Sequence, residues 1–81
     1  MTASYQVSYF GMLAERRGLA DERLASPAAT PAALYQELDA AHRLGLAVSD
    51  LRAAVNDEFA PWDHPLKDGD RIAFLPPMSG G

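Results

Sequence analysis

The last six residues, Pro76-Pro77-Met78-Ser79-Gly80-Gly81, are the ones whose types and spacing point most directly to chemistry. They follow a strand-like apolar run, Ile72-Ala73-Phe74-Leu75. Proline has no N–H to give to a ladder and glycine has no side chain to pack, so a strand cannot keep pairing beyond Leu75. Six extended residues reach roughly 20 Å at about 3.3 Å each. The chain is therefore expected to end in a thin arm, residues 76–81, with a free main-chain carboxylate at its tip. The terminus itself is expected to be the working part. Small, loose residues are common at chain ends. What sets this end apart is a rigid Pro76-Pro77 exit placed directly after a core strand, and an arm that is uncharged and apolar except for Ser79. Glycine lets backbone approach where any Cβ would clash. Pro77, Met78, Ser79 and Gly80 thus read as the part that enters a narrow partner site and carries Gly81 there.

Other chemistry-bearing residues are sparse. His42 and His64 are the only histidines, and a metal site needs further ligands at fitting geometry. His42 is expected on the surface of a helix. His64, between Asp63 and Pro65, is expected in a turn, hydrogen-bonded to backbone. No metal and no bound cofactor is assigned to the chain. Asp57-Glu58 could be read as paired carboxylates, but a solvated turn accounts for them. Asp68 and Asp70 flank Gly69, where aspartate favours local backbone hydrogen bonds. Arg16-Arg17, the only adjacent basic pair, reads as a solvated helix end.

Composition bounds the rest. With 81 residues and 48% apolar content, the chain suits one small domain with one core, residues 1–75, rather than a disordered segment. No apolar run approaches the length of a membrane-spanning helix. Met1 to Tyr5 has neither a basic region nor an apolar core, so it is not read as a secretory signal. The absence of cysteine removes thiolate nucleophiles, side-chain persulfides and cysteine metal sites, and it fits the cytoplasm. A net charge of −4 argues against nucleic acid, which wants a basic face.

The elements that must position the arm follow from periodicity. Ser4 to Gly11 alternates as a first strand, with Tyr5, Val7 and Tyr9 on one face. Met12 to Arg17 are good helix formers closed by Gly18. Glu22 to Ala25 is a second strand, broken at Ser26-Pro27. Thr30-Pro31 starts the main helix, with threonine as N-cap and proline at the first helical position. Leu34, Leu38 and Ala41, with Tyr35 beside them, form its apolar stripe, and it is expected to end near Leu44-Gly45. Leu51 to Val55 is a third strand, Asn56-Asp57 a turn, Glu58 to Ala60 a short edge, Lys67 to Asp70 a tight turn, and Arg71 to Leu75 the last strand. One main helix and a short one on a mixed sheet of four to five strands, with the first and last strands central, gives an α+β domain. This is the pattern of the β-grasp, or ubiquitin-like, fold.

Three segments resemble the small subunit of molybdopterin synthase, a family of ubiquitin-like sulfur carriers. They are Leu51-Arg52-Ala53-Ala54-Val55-Asn56, Asp63-His64-Pro65-Leu66-Lys67-Asp68-Gly69-Asp70 and Ile72 through Gly81. Val7-Ser8-Tyr9-Phe10, followed by a short helix and Gly18, resembles the opening of that family. Residues 19–50 are generic, and Ala14 stands where relatives often carry arginine.

The resemblance implies that Gly81 is adenylated by an activating partner that consumes ATP. A sulfur donor protein then converts it to a thiocarboxylate. The large synthase subunit receives the tail in a heterotetramer, and sulfur passes to a pterin precursor of the molybdenum cofactor. The carrier itself is then not an enzyme. A carrier for thiamin or tRNA thiolation, a ubiquitin-like modifier conjugated through Gly81, and an interaction domain with an inert tail are the competing readings. Phe10, Phe59 and Leu75 are expected to form the partner interface on the sheet face away from the helix. Trp62 is expected to pack locally.

Overall fold

The computed structural model describes residues 2–77. Five strands form one sheet in the order β2-β1-β5-β3-β4. They are β1 (Ala3–Tyr9), β2 (Asp21–Ser26), β3 (Arg52–Val55), β4 (Glu58–Ala60) and β5 (Arg71–Leu75). The helices are α1 (Met12–Arg17) and α2 (Pro31–His42), and a single 3₁₀ turn covers Val48–Asp50. β1 and β5 run parallel, with Val7 opposite Ile72 and Tyr9 opposite Phe74. β2 pairs antiparallel with β1, and β3 antiparallel with both β4 and β5. The chain is an α+β, ubiquitin-like β-grasp domain, with its first and last strands inside the sheet as their apolar content demands.

Period-two alternation sends Tyr5, Val7 and Tyr9 of β1, Ala53 and Val55 of β3, and Ile72 and Phe74 of β5 to the face covered by α2, where all are buried. Leu13, Leu34, Tyr35, Leu38, Leu44 and Leu51 close that core from the helices and loops. Thr30 caps α2: its Oγ1 accepts the Ala33 N–H at 3.2 Å, and Pro31 follows at the first helical position. The β3–β4 hairpin turns on Asn56 and Asp57, both at positive φ (53° and 73°), the geometry of a two-residue mirror-image turn.

Several expectations are corrected. α2 ends at His42, with Arg43 in the left-handed conformation as its cap, and not near Leu44-Gly45. Ala41 is exposed and His42 half-buried. The buried arc of α2 comprises Pro31, Leu34, Tyr35 and Leu38. At 3.6 residues per turn, Ala41 falls roughly 70° from the arc's centre and His42 only roughly 30°. β1 stops at Tyr9, leaving Phe10 and Gly11 outside it, and β3 begins at Arg52. β2 continues through Ser26, which is fully buried and donates from Oγ to Glu37 at 2.6 Å. Trp62, expected to pack locally, reaches the core. It stacks on Phe74, with ring centroids 6.1 Å apart, and meets Tyr35 edge-on at 6.3 Å.

Candidate functional site

The site begins where β5 ends. Leu75 lies opposite Arg52 of β3, while on the other side the β1 ladder has ended one pair earlier, at Tyr9 and Phe74. Phe10 and Gly11 occupy the place where β1 would have continued beside the outgoing chain. Gly11 adopts φ 57°, ψ −132°, a conformation open essentially to glycine alone. A Cβ there would come within 3.1 Å of Pro76 Cγ. A glycine turn into α1 and a proline ring thus share the exit, and Pro76 has no N–H to seek a partner across the gap. Pro77 is exposed and is the last described residue of the arm. Met78, Ser79, Gly80 and Gly81 lie outside the described residues.

Two hollows adjoin the exit. The larger, about 810 Å³, is a groove walled by Leu51, Phe59, Trp62, Leu75, Pro76 and Pro77, with Asp50 and Arg52 at its polar side. The smaller, about 240 Å³, lies on the sheet face away from α2 and is lined by Phe10, Ala54, Asp57, Phe59, Ala73 and Leu75. It brings the three interface candidates together. Phe10 and Phe59 are 48% and 70% exposed, which is rare for side chains of this size, whereas Leu75 is half-buried. The Arg52 guanidinium sits 5.8 Å from the Phe59 ring centroid, within range of a cation–π contact.

Arg16, in the last turn of α1, is exposed as a solvated helix end should be, whereas Arg17 is half-buried and paired. Arg17 grips Glu22 of β2 with two nitrogens, at 2.7 and 2.8 Å, and Tyr9 donates its hydroxyl to the same carboxylate at 2.6 Å. The hydrogen bonds from Arg17 hold the Glu22 carboxyl below its ordinary range, against an opposing effect of burial. Burial first, and the bond to Glu22 next, push the Tyr9 phenol far above its ordinary range. Arg16 donates to the Leu44 carbonyl at 2.6 Å, tying α1 to the segment after α2. Together these contacts fix α1, and with it Gly11 and Phe10, to the body of the domain.

Of the remaining candidates only Asp57 touches this region, as part of the wall of the smaller hollow. The His64 N–H donates to the Pro61 carbonyl at 3.1 Å, the backbone role expected of that turn. Asp57 is exposed and pairs with exposed Arg71. Asp70 receives the Lys67 N–H and the Asn56 amide, and Asp68 receives the Ser4 N–H. These bonds close the turn before β5 at the opposite end of that strand. Among the described residues no group of three or more His, Cys, Asp or Glu could hold a metal ion. Also among the described residues, no helix is long and apolar enough to cross a membrane. Gly11 is the residue that the sequence pattern alone hid. Its glycine identity directly beside a short helix was the available signal.

Comparison with known proteins places this arrangement in context. The chain is 40% identical over 79 residues to the molybdopterin synthase sulfur carrier subunit of Escherichia coli (strain K12), covering 94% of this chain and 98% of that protein. It is similar to a chain in the complex of subunits 1 and 2 of molybdopterin-converting factor from Helicobacter pylori 26695. That match has 30% identity and TM-score 0.65, over 96% of this chain and 99% of that one. It is also similar to SAMP1 from Haloferax volcanii, with 27% identity and TM-score 0.78, over 98% of this chain and 100% of that one. Residues 7–81, which run from the middle of β1 through the arm, match the ThiS family, and the chain belongs to that family.

Proposed function

We propose that this chain is the sulfur-carrying small subunit of a molybdopterin synthase, with Gly81 as the residue that carries the sulfur. The observation that carries this reading is the 40% identity to the Escherichia coli sulfur carrier subunit over nearly the full length of both chains. The geometry supports it. The arm leaves from the strand at the centre of the sheet, beside a rigid glycine–proline exit and a depression lined by the exposed Phe10 and Phe59.

The chemistry is what the likeness to the sulfur carriers implies, and the chain's lack of cysteine is compatible with it. A carboxylate is a poor acyl donor, so an activating partner converts Gly81 to an acyl-adenylate at the expense of ATP, which supplies a good leaving group. Sulfur delivered at the sulfide level by a donor protein then attacks the acyl carbon, AMP leaves with its electron pair, and a thiocarboxylate remains, a nucleophilic sulfur that needs no cysteine. The large synthase subunit admits residues 77–81 and supplies the catalytic groups, and the carrier contributes delivery and orientation. Phe10, Phe59 and Leu75 contribute the docking surface on the body.

The experiment is an intact-mass measurement after incubation with ATP, an activating enzyme and a sulfur source. The expected result is replacement of one oxygen by sulfur, confined to the C-terminal peptide. Stable sulfur on any other residue, or none at all, overturns the reading. A second reading, a protein modifier joined through Gly81 to lysines of other proteins, is favoured by the likeness to SAMP1, a small archaeal modifier protein. Slow-migrating covalent adducts of the chain in cell extracts would separate it from the carrier.

A further inference from the structure

Lysine is almost absent from this chain. Lys67 is the one side-chain amine, the other basic side chains apart from histidine are arginines, and there is no thiol. The single lysine is exposed and sits in the turn before β5. That turn is tied to the start of β1. Gly69 donates its N–H to the Ser4 carbonyl at 2.7 Å, and the Asp68 carboxylate receives the Ser4 N–H at 2.7 Å. Because β1 and β5 are parallel, the arm leaves from the opposite pole, where Gly11 meets Pro76.

From Ser4 to Tyr9 is five residues of β1, roughly 17 Å at the rise of a strand, and from Tyr9's partner Phe74 to Pro76 is two residues more, roughly 6 Å. The four residues after Pro77 extend at most about 14 Å. The roughly 9 Å left over is more than a lysine side chain spans. A carboxyl terminus activated at Gly81 therefore cannot reach the amine of its own chain. The cation at the arm's base is Arg52, exposed and opposite Leu75 in the ladder. A guanidinium supplies positive charge there without offering the nucleophile that an amine would.

We propose that the arm's pole is kept free of side-chain amines and thiols as protection against self-acylation. The activated terminus is then lost only to water or to a nucleophile that a partner supplies. This rests on the reading of Gly81 as an activated acyl group. The reaction avoided is aminolysis. An amine nitrogen attacks the terminal carbonyl carbon, a C–N bond forms, the bond to the leaving group breaks, the leaving group departs with its electron pair, and the amine gives up a proton. An amine on the arm's pole would meet the terminus at an effective concentration in the millimolar range, on the order of a thousandfold above that of another copy at micromolar concentration.

The test uses the full chain prepared with a C-terminal thioester, which activates Gly81 without any enzyme. The wild-type chain and Lys67→Arg are expected to lose the thioester by hydrolysis alone, at the same rate, giving the free acid. Arg52→Lys is expected to form an internal amide, one water lighter than the free acid, at least about tenfold faster than hydrolysis. Asp50→Lys repeats the measurement from another exposed position on the groove beside Pro77. An internal amide in either lysine variant and none in the wild-type chain supports the proposal. An internal amide in the wild-type chain, or none in both lysine variants, overturns it. Exchange of pyrophosphate into ATP by the activating enzyme on the wild-type chain reports on adenylation separately, so failure of the carrier reading and failure of the protection are told apart.

Discussion

Gly11 and Pro76 are matched at the exit of the arm: a Cβ on the first would stand 3.1 Å from the ring of the second. The backbone of Gly11, at φ 57° and ψ −132°, would resist a side chain even without that neighbour. Gly11→Ala is therefore expected to cost about 1–3 kcal/mol of stability, the range for a residue held in a glycine-only conformation. Pro76→Ala relieves the contact but not the backbone strain. In a double-mutant cycle the pair should couple, because the two positions share one contact. Denaturant unfolding of the four proteins measures both effects. Strict additivity would mean that the exit is wider than this contact implies.

The core of α2 gives a paired test of which face is buried. Leu38 is 4% exposed, and Leu38→Ala should cost about 2–5 kcal/mol. Ala41 lies one turn on but is exposed, and Ala41→Gln should change stability by no more than about 0.5 kcal/mol. A large loss at Ala41 with a small one at Leu38 would reverse the helix face.

Glu22 makes the stability of the body sensitive to acid. Its carboxyl is held below the ordinary range by Arg17 in the folded chain. The folded state therefore binds its proton more weakly than the unfolded state does. The stability it contributes is present above the ordinary carboxylate range and drains away as pH falls below about 5. Glu22→Gln should lower stability at pH 7, and its difference from the wild-type chain should shrink toward pH 3. A difference that stays constant across that range would show that the Glu22 charge contributes nothing.

Much of this was legible in the sequence because the residues concerned carry their meaning locally. Thr30-Pro31 marks a helix start, Asn56-Asp57 a turn, and Pro76-Pro77 the end of a strand, whatever the rest of the chain does. The alternation of Tyr5, Val7 and Tyr9 fixes a buried face in the same way. What stayed hidden depends on partners distant in the chain. Arg16 is spoken for by Leu44, 28 positions away. Trp62 is held by Tyr35 and Phe74 across the core. Gly11 looked like the end of a strand because its constraint comes from Pro76, 65 positions later. Ala41 fits the helical spacing of Leu34 and Leu38, yet the stripe is centred on the far side of Leu38, a difference set by where the sheet lies.

The docking surface is the most exposed to refutation. Met78, Ser79, Gly80 and Gly81 carry no charged side chain, too little for specificity, so the body must contribute. Phe59 is 70% exposed and stands with Phe10 and Leu75 around one depression beside the arm's base. Central aromatic anchors typically cost about 2 kcal/mol or more on truncation, which is roughly thirtyfold in affinity. Phe59→Ala should therefore weaken binding to the large synthase subunit by about that factor in titration calorimetry. Its effect on unfolding should stay within about 0.5 kcal/mol, since little of the ring is removed from water in the free chain. Phe10→Ala and Leu75→Ala should weaken binding as well, but the half-buried Leu75 should also lose some stability. Normal binding and sulfur transfer by all three variants would move the docking surface off this face of the sheet and leave the arm as the only contact assigned.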